Sequence, residues 1–269
     1  MNRLTATLVT HNEEQDLPRA LASLKEVTDE IVVVDSGSDD RTCEIARQHG
    51  ARVRERTWTD FSDQKNFAAA QATHDWVLNL DADEELSPGL REELRRWKQQ
   101  APTAAAYAMP RRARYLGRWI RHSDWYPDPK VRLYRRGQAR FAGRLHESVV
   151  VEGAVGRLAG EIYHHTFGSV TEHLAQINQY TTLAAEQLFA GGRRRWLLPM
   201  LVSPPWMFVR TYVLKQGFRD GYHGWLIAQL TALTSLLKFA KLGLLVHGGA
   251  RAGNSTSAAA RADDAPRSR

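Results

Sequence analysis

The segment DWVLNLDADEEL, residues 75–86, joins a short apolar run to a cluster of acidic residues. An apolar run of this length, bounded by polar residues, predicts a buried β-strand. Residues i and i+2 of an extended segment point to the same side, so Asp81 and Asp83 can offer two carboxylates to one divalent cation. Acidic residues are also favoured in the first turn of a helix, and the pattern alone leaves both interpretations open.

Two segments upstream repeat the pattern of a strand that ends in a polar loop. LTATLV (4–9) runs into THNEE (10–14), and EIVVVD (30–35) runs into DSGSDDRT (35–42). Helical patterns separate the strands, and this alternation predicts an α/β fold, a mostly parallel sheet with helices on both faces. The polar loops would then share the carboxyl edge of the sheet, where such folds bind ligands.

These loops contain residue types that suit a nucleotide. The Asp35 carboxylate can accept from a base N–H or a ribose hydroxyl, and Gly37 has no side chain to hinder a close approach. Lys65, near the start of a predicted helix, could donate to a phosphate. Each residue alone is better explained as a turn or cap residue, whereas their shared position at successive strand ends favours a nucleotide site.

The composition limits the class of protein and its partners. The chain has 269 residues, 43% of them hydrophobic, which excludes disorder throughout, and its single cysteine, Cys43, excludes an internal disulfide. The net charge of +7 points to anionic partners. Residues 111–144 hold eleven basic residues and two acidic ones, a net +9. This stretch is either an anion-binding surface or an arginine-rich solvated face.

The C-terminal part has a helical pattern. The apolar stretch 225–246 is interrupted by polar residues at every third or fourth position, which predicts an amphipathic or core helix rather than a membrane span. Arg193–Arg195 precede WLLPMLVSPPWMFV, which suits anionic headgroups at a membrane surface. The alternatives are that these helices pack on the α/β domain or pair two chains as a homodimer. The N-terminus lacks a signal sequence, which predicts a start in the cytosol.

The joint pattern of these segments resembles a known family, the inverting family 2 glycosyltransferases with the GT-A fold. The resemblance is carried by LTATLVTHNEEQDLPRALASL, EIVVVDSGSDDRT, QKNFAAAQAT and WVLNLDADEEL, in this order within the first hundred residues. The later segments WYPDPKVRLYRRGQARFAGRLHE, YHH and KQGFRDGYHGWLIAQL are similar to bacterial lipopolysaccharide-core β-1,4-glucosyltransferases that modify the inner-core heptose.

The resemblance implies a division of the chain into four parts. Residues 1–110 would be the nucleotide-sugar-binding half of the GT-A domain, and residues 111–168 its basic, acceptor-side half. Residues 169–247 would be a helical region that associates with a membrane or dimerises. The Ala/Ser/Gly/Arg-rich residues 248–269 predict a disordered tail.

The resemblance also implies roles for individual residues. Glu147 would be the general base, with a structural pair of His146 and Glu147 as the alternative. Asp83 would bind Mg²⁺ or Mn²⁺, and His164 would complete the metal shell unless it is structural. The donor nucleotide would be bound at the base, ribose or phosphates by Thr10, Asn12, Glu14, Asp35, Gly37, Lys65 and Asp81.

These roles predict a metal-dependent transferase. It would move one sugar, glucose from UDP-glucose, onto an anionic lipid-linked saccharide such as the lipopolysaccharide inner core, on the cytoplasmic face of the bacterial inner membrane. Absence of a Q-x-x-R-W segment argues against a processive polymerase. An alternative acceptor is polyprenyl phosphate or another glycan. A more distant alternative is a non-catalytic basic module that binds nucleic acid or membrane, although no nucleic-acid motif is present.

Overall fold

The computed structural model describes residues 1–143 and 148–262, and of these 249–262 are described only as helical backbone. The chain divides into two units. The first comprises Met1–Arg121 and Trp125–Thr166, and the second comprises His122–Asp124 and Phe167–Arg269.

The strands of the first unit form one large sheet and one two-stranded sheet. The large sheet has the order β3-β2-β1-β4-β8-β6-β12-β5, β7 and β11 also pair with β6, and β9 pairs with β10. Within the described residues the strands are β1 (Leu4–Thr10), β2 (Glu30–Asp35), β3 (Arg52–Glu55), β4 (Trp76–Asn79), β5 (Glu84–Leu86), β6 (Ala106–Tyr115), β7 (Arg118–Trp119), β8 (Asp128–Arg135), β9 (Ala139–Ala142), β10 (Ser148–Val151), β11 (Val155–Arg157) and β12 (Ile162–His165).

The strands predicted from the N-terminal sequence run parallel. Neighbouring strands in the series β3, β2, β1, β4 are all parallel pairs. Strands β2 and β4 are buried along nearly their whole length, as is usual for strands covered on both faces. Strand β8 is antiparallel to β4 and β6, whereas β6 is parallel to β12. The predicted α/β fold with a mostly parallel sheet is confirmed, with antiparallel strands in its second half.

Helices cover both faces of the sheet, as the sequence predicted. Val33 of β2 packs in the same core cluster as α1 and α4, whereas Val32 and Val34 pack with Ala68 of α3 on the opposite face. Pro88 and the Ser87 hydroxyl, which accepts from the Leu90 amide at 3.2 Å, start α4. The helices of the first unit are α1 (Leu17–Leu24), α2 (Thr42–Gln48), α3 (Phe61–Ala70) and α4 (Pro88–Lys98).

The second unit is helical. It contains α5 (Val170–Ala190), α6 (Leu197–Val209), a π-helical turn (Arg210–Leu214) and α7 (Gly221–Ala262). Its core joins Ala185 of α5 to Phe239 and Leu242 of α7. Lys241 of α7 donates to side-chain oxygens of α5, at 2.7 to 2.8 Å. One segment of the described chain, Gly217–Gly248, is long and apolar enough to cross a membrane by length and composition alone, a test that core helices also pass.

The helical backbone of α7 continues beyond the predicted start of the tail. The sequence predicted disorder from residue 248, whereas α7 extends to Ala262. Alanine has the highest intrinsic helix propensity, and several alanines lie between 250 and 262. Residues 263–269 lie outside the described part of the chain.

A close approach between α4 and the loop before β12 makes Gly160 sensitive to any side chain. A Cβ at Gly160 would lie 2.4 Å from the Leu90 Cα. This is a backbone atom, so no change of side-chain rotamer can relieve the clash. We therefore expect Gly160→Ala to lower the free energy of unfolding by about 1 to 3 kcal/mol through overpacking. The measurement is urea unfolding of the full chain followed by circular dichroism.

The matched control is Gly89→Ala, in the first turn of α4. A Cβ there meets only the Ser87 Oγ, at 4.0 Å. Because alanine is the better helix former, this variant should match the wild type or gain up to about 1 kcal/mol. Equal urea midpoints for Gly160→Ala and Gly89→Ala would contradict the expected overpacking at Gly160.

Candidate active site

The carboxyl ends of β1 and β2 are joined through Asp35. The register pairs Thr10 with Asp35, and the Thr10 hydroxyl donates to Asp35 Oδ2 at 2.8 Å. The amides of Gly37 and Ser38 donate to Oδ1, at 3.0 and 2.8 Å, and the Ser38 hydroxyl donates to Oδ2 at 2.6 Å. Burial of the carboxyl opposes ionisation, but the Ser38 and Thr10 bonds outweigh it and lower the pKa of Asp35. Gly37 lies at φ +87°, a left-handed conformation that favours glycine.

Asp35 accepts four bonds from its own surroundings, which is close to the capacity of a carboxylate. Its first effect is therefore to order the loop after β2. A base that binds to Asp35, as the resemblance implies, would have to replace a bond such as that from Ser38.

The loop after β1 is tied to the loop after β2. The backbone amide of Asn12 donates to the Ser38 Oγ at 2.8 Å, and its side-chain Oδ1 accepts from the backbone amide of Asp39 at 3.0 Å. Glu14 Oε2 accepts from the Arg41 amide at 3.2 Å. The structure thus brings together Thr10, Asn12, Glu14, Asp35 and Gly37, and it shows Asn12 and Glu14 as braces between the loops.

A cavity of about 470 Å³ opens beside these loops. Trp58 and Phe61 contact each other edge to face, with ring centroids 4.7 Å apart, and both are exposed. The cavity offers aromatic faces and polar groups together, a combination suited to a nucleoside. Sequence reasoning missed the aromatic residues, of which Trp58 lies in the polar segment before α3 and Phe61 is the first residue of α3. The lining residues are Val9, Thr10, His11, Glu13, Ser36, Trp58 and Phe61.

Glu13 has an unusual protonation equilibrium among the lining residues. Burial, followed by the negative charges of Asp83, Asp16 and Asp40, raises the pKa of Glu13 to about 7. The neighbouring carboxylates thus disfavour a negative charge on Glu13. A cation bound at this edge would offset their charge and favour the ionised form of Glu13.

Asp81 lies between two buried cations. Its Oδ1 is 2.7 Å from Lys65 Nζ, and its Oδ2 is 2.5 Å from Arg132 Nη2. The Lys65 side chain is only 2% exposed, and its ammonium also lies 5.3 Å from the centre of the Phe141 ring. Burial opposes ionisation of Asp81, but Arg132 and Lys65 hold its pKa far below the usual range. The structure therefore places Lys65 on Asp81.

Arg132 is a site residue that sequence reasoning missed. It donates to Asn79 Oδ1 at 2.9 Å and to Oε1 of the fully buried Glu84 at 2.7 Å, in addition to Asp81. Arg111 also contacts Glu84, at 3.2 Å, and pairs with Asp128. Burial opposes ionisation of Glu84, yet Arg132 lowers its pKa. Part of the basic stretch 111–144 is thus used inside the protein to hold the acidic turn after β4.

Asp83 and His164 form the pair available to a metal ion. Strands β5 and β12 are antiparallel, and His164 Nε2 lies 3.0 Å from Asp83 Oδ2. The next histidine, His165, pairs with Glu85 at 2.9 Å. The described residues contain no cluster of three metal-ligating side chains. Mg²⁺ commonly uses one or two carboxylates together with substrate phosphates and water, so Asp83 fits an ion that the donor helps to bind. The His164 imidazole suits a transition metal such as Mn²⁺ better than Mg²⁺.

The predicted base lies outside the described residues. His146 and Glu147 belong to the segment 144–147, which the structure does not describe. The strand that precedes it is held by α3: Asn66 exchanges two bonds with the backbone of Phe141, at 2.8 and 2.9 Å. The Ser62 hydroxyl donates to the Gly143 carbonyl at 2.6 Å.

We expect Arg132→Met to lower the free energy of unfolding by about 3 to 5 kcal/mol at pH 7, because it leaves Glu84 and Asp81 without their main cation. Both carboxyls have a lowered folded-state pKa, so their contribution is present above their unfolded-state pKa and is lost as the pH falls. In the wild type this loss lies below about pH 4. In the variant, burial still raises the pKa of both carboxyls but their main cation is gone, so the folded variant takes up protons at a higher pH than the unfolded chain does, and its deficit should shrink between pH 7 and pH 4. The measurement is urea unfolding at both pH values.

The control is Arg135→Met at the exposed end of the same strand. It removes the same charge without leaving a buried carboxylate unpaired, and it should change the free energy of unfolding by at most about 0.5 kcal/mol. If Arg132→Met were as stable as Arg135→Met, the network would not have the proposed importance.

Comparison with known proteins shows the family of the chain. The family model for glycosyl transferase family 2 matches residues 5–156. A glycosyltransferase of Rickettsia typhi is 31% identical over 263 residues, which cover 90% of this chain and 87% of the relative. The lipopolysaccharide core biosynthesis glycosyltransferase LpsC of Rhizobium meliloti is 31% identical over 247 residues, which cover 89% of this chain and 91% of LpsC.

Solved structures are more distant. A crystal structure of residues 1–349 of S. aureus TarS in complex with UDP-GlcNAc is 13% identical and covers 93% of this chain and 92% of that chain, with a TM-score of 0.48. The family model covers more than half of the chain and the two relatives cover about nine-tenths of it, and these matches alone establish the family. The chain belongs to glycosyl transferase family 2, with the GT-A fold, and is a glycosyltransferase.

Proposed function

We propose that the chain is a metal-dependent, inverting transferase that moves one glucose from UDP-glucose onto a lipid-linked saccharide of the lipopolysaccharide inner core, on the cytoplasmic face of the inner membrane. The observation that carries the proposal is the shared strand edge. The aromatic-lined cavity is formed by the loops after β1 and β2 together with Trp58 and Phe61, and the turn after β4 carries Asp83 beside His164 of β12. The name of the relative LpsC supports lipopolysaccharide core synthesis as the process. Family membership sets aside the non-catalytic alternative.

The cavity would bind the nucleoside. Its volume of about 470 Å³ and its exposed rings, Trp58 and Phe61, suit a base that stacks on an aromatic face. Thr10 and Ser36 supply hydroxyls at the same wall. The Asp35 loop would contact the ribose or base after exchange of the Ser38 bond.

The donor diphosphate would lie toward Asp83 and His164. When bound there, a Mg²⁺ or Mn²⁺ ion would offset the negative charge of the departing UDP. Asp81 remains ionised beside Lys65 and Arg132, and this fixes the turn that presents Asp83. Lys65 and Arg132 also leave the acidic edge less repulsive to a diphosphate than its carboxylates alone would be.

Glu147 would act on the acceptor. Its carboxylate would take the proton of the acceptor hydroxyl while that oxygen attacks the anomeric carbon opposite the nucleotide, and this single displacement inverts the configuration. A polyprenyl phosphate, the alternative acceptor, is already ionised and needs no base. The two acceptors therefore differ in their need for Glu147.

The donor site is tested by calorimetry of UDP binding with and without Mn²⁺. We expect wild-type binding to strengthen at least about tenfold with Mn²⁺ and Asp83→Asn to lose that gain, because an amide does not supply the negative charge. Glu85→Gln is the matched control, since Glu85 pairs with the neighbouring His165 in the same manner. It should retain the effect of Mn²⁺. Binding of UDP that ignores Mn²⁺ in the wild type would refute metal dependence.

The acceptor class is tested with Glu147→Gln in a single-turnover transfer assay. Attack by a sugar hydroxyl predicts a loss of about two to four orders of magnitude in rate with little change in UDP affinity. Glu152→Gln, at an exposed acid of the same part of the chain, should keep wild-type turnover. Near-normal transfer by Glu147→Gln would instead support a phosphate acceptor.

A further inference from the structure

Helix α6 and the π-helical turn that follows it expose a line of large apolar side chains. None of the residues of α6, all of them described, is buried. The line consists of Leu198, Val202, Trp206, Val209 and Val213, which are 71%, 57%, 54%, 42% and 52% exposed. Their spacing of three or four residues places them on one side of the helix. We call these five residues the α6 stripe.

The other side of α6 is occupied within its own unit. Met200 packs on the cluster that contains Phe239 and Leu242. The Ser203 and Ser235 hydroxyls are 2.6 Å apart. The orientation of α6 is therefore fixed, with the α6 stripe turned outward. Soluble proteins rarely leave a contiguous apolar patch of this kind uncovered.

The sequence that contains the α6 stripe carries charge of one sign. Between residues 187 and 219 the sequence has six basic residues and no acidic one. Arg193–Arg195 are exposed immediately before α6, and Lys215 and Arg219 are exposed after it, whereas Arg210 pairs with Asp124 at 2.9 Å. An apolar helical face bordered by arginine and lysine complements a bilayer with anionic headgroups.

Two other occupants fit these observations less well. A symmetric contact between two copies would bring identical basic segments toward each other, which is unfavourable. A spanning orientation of α6 fails on length, because its 13 residues extend roughly 20 Å and the hydrocarbon core is about 30 Å thick. Lys241, within the apolar part of α7, is bonded to the polar helix α5, which favours α7 as a core helix.

We propose that the α6 stripe docks in the plane of an anionic lipid bilayer. Its apolar side chains enter the boundary between headgroups and acyl chains, and Arg193–Arg195 contact lipid phosphates. This deepens the proposed function, because it names the surface that brings the enzyme to a lipid-linked acceptor. The test needs no turnover, and it is therefore separable from the test of the donor site.

The test is co-sedimentation of the full chain with vesicles that contain no donor and no acceptor. We expect binding to vesicles of phosphatidylglycerol mixed with phosphatidylcholine, and at least about tenfold weaker binding by the double variant Leu198→Gln and Trp206→Gln. The matched control, Val150→Gln with Val155→Gln, changes two similarly exposed apolar residues of the first unit and should bind normally. Replacement of Arg193–Arg195 by Gln should reduce binding roughly 100-fold on anionic vesicles and little on phosphatidylcholine alone.

Three results would overturn the proposal. The first is equal vesicle binding by the wild type and the double variant, with circular dichroism showing both folded. The second is resistance of the bound protein to alkaline carbonate extraction, which would indicate a spanning α7. The third is a dimer in sedimentation velocity that the double variant loses, with no vesicle binding, which would identify a second copy as the occupant. Loss of vesicle binding with intact Mn²⁺-dependent UDP binding would leave the donor site untouched.

Discussion

The turn after β4 depends on a buried group of charges. Arg132 contacts Asn79, Asp81 and Glu84, and Lys65 contacts the other oxygen of Asp81. None of these charges could be buried alone, because desolvation of an ion costs several kcal/mol. Together they fix the acidic turn from three sides, through β4, β8 and α3. The proposed metal ligand Asp83 lies two residues from this fixed point.

The network gives the two aspartates of the D-x-D sequence different environments. Asp81 is committed to Lys65 and Arg132, whereas Asp83 faces the single imidazole of His164. An ion bound near Asp83 would therefore meet a local charge that the protein has already partly neutralised. A weak protein site of this kind suits a cation that arrives with its substrate, because the diphosphate supplies the missing oxygen ligands.

The sequence predicted the parallel strands and the loops at their ends, because alternation of strand and helix and the position of polar loops are local signals. The same signals brought Thr10, Asn12, Glu14 and Asp35 to one edge. They could not reveal Arg132, whose partners come from segments about fifty residues away, and an arginine in an alternating strand is typical of a solvated face. They also could not show that Asp35 already accepts four hydrogen bonds within the protein, since two come from backbone amides and one comes from Thr10 on a neighbouring strand.

The two units solve the problem of burial in opposite ways. The first unit takes charged residues inside and compensates each with a partner, so that Glu84 and Lys65 are buried without being isolated. The second unit leaves Leu198 and Trp206 in contact with solvent, although α6 is held in place by α7. Exposure of these apolar side chains to water is unfavourable, and the described residues leave more than half of the Leu198 and Trp206 surfaces uncovered. Such a surface is understandable where the solvent it meets for part of the time is lipid rather than water.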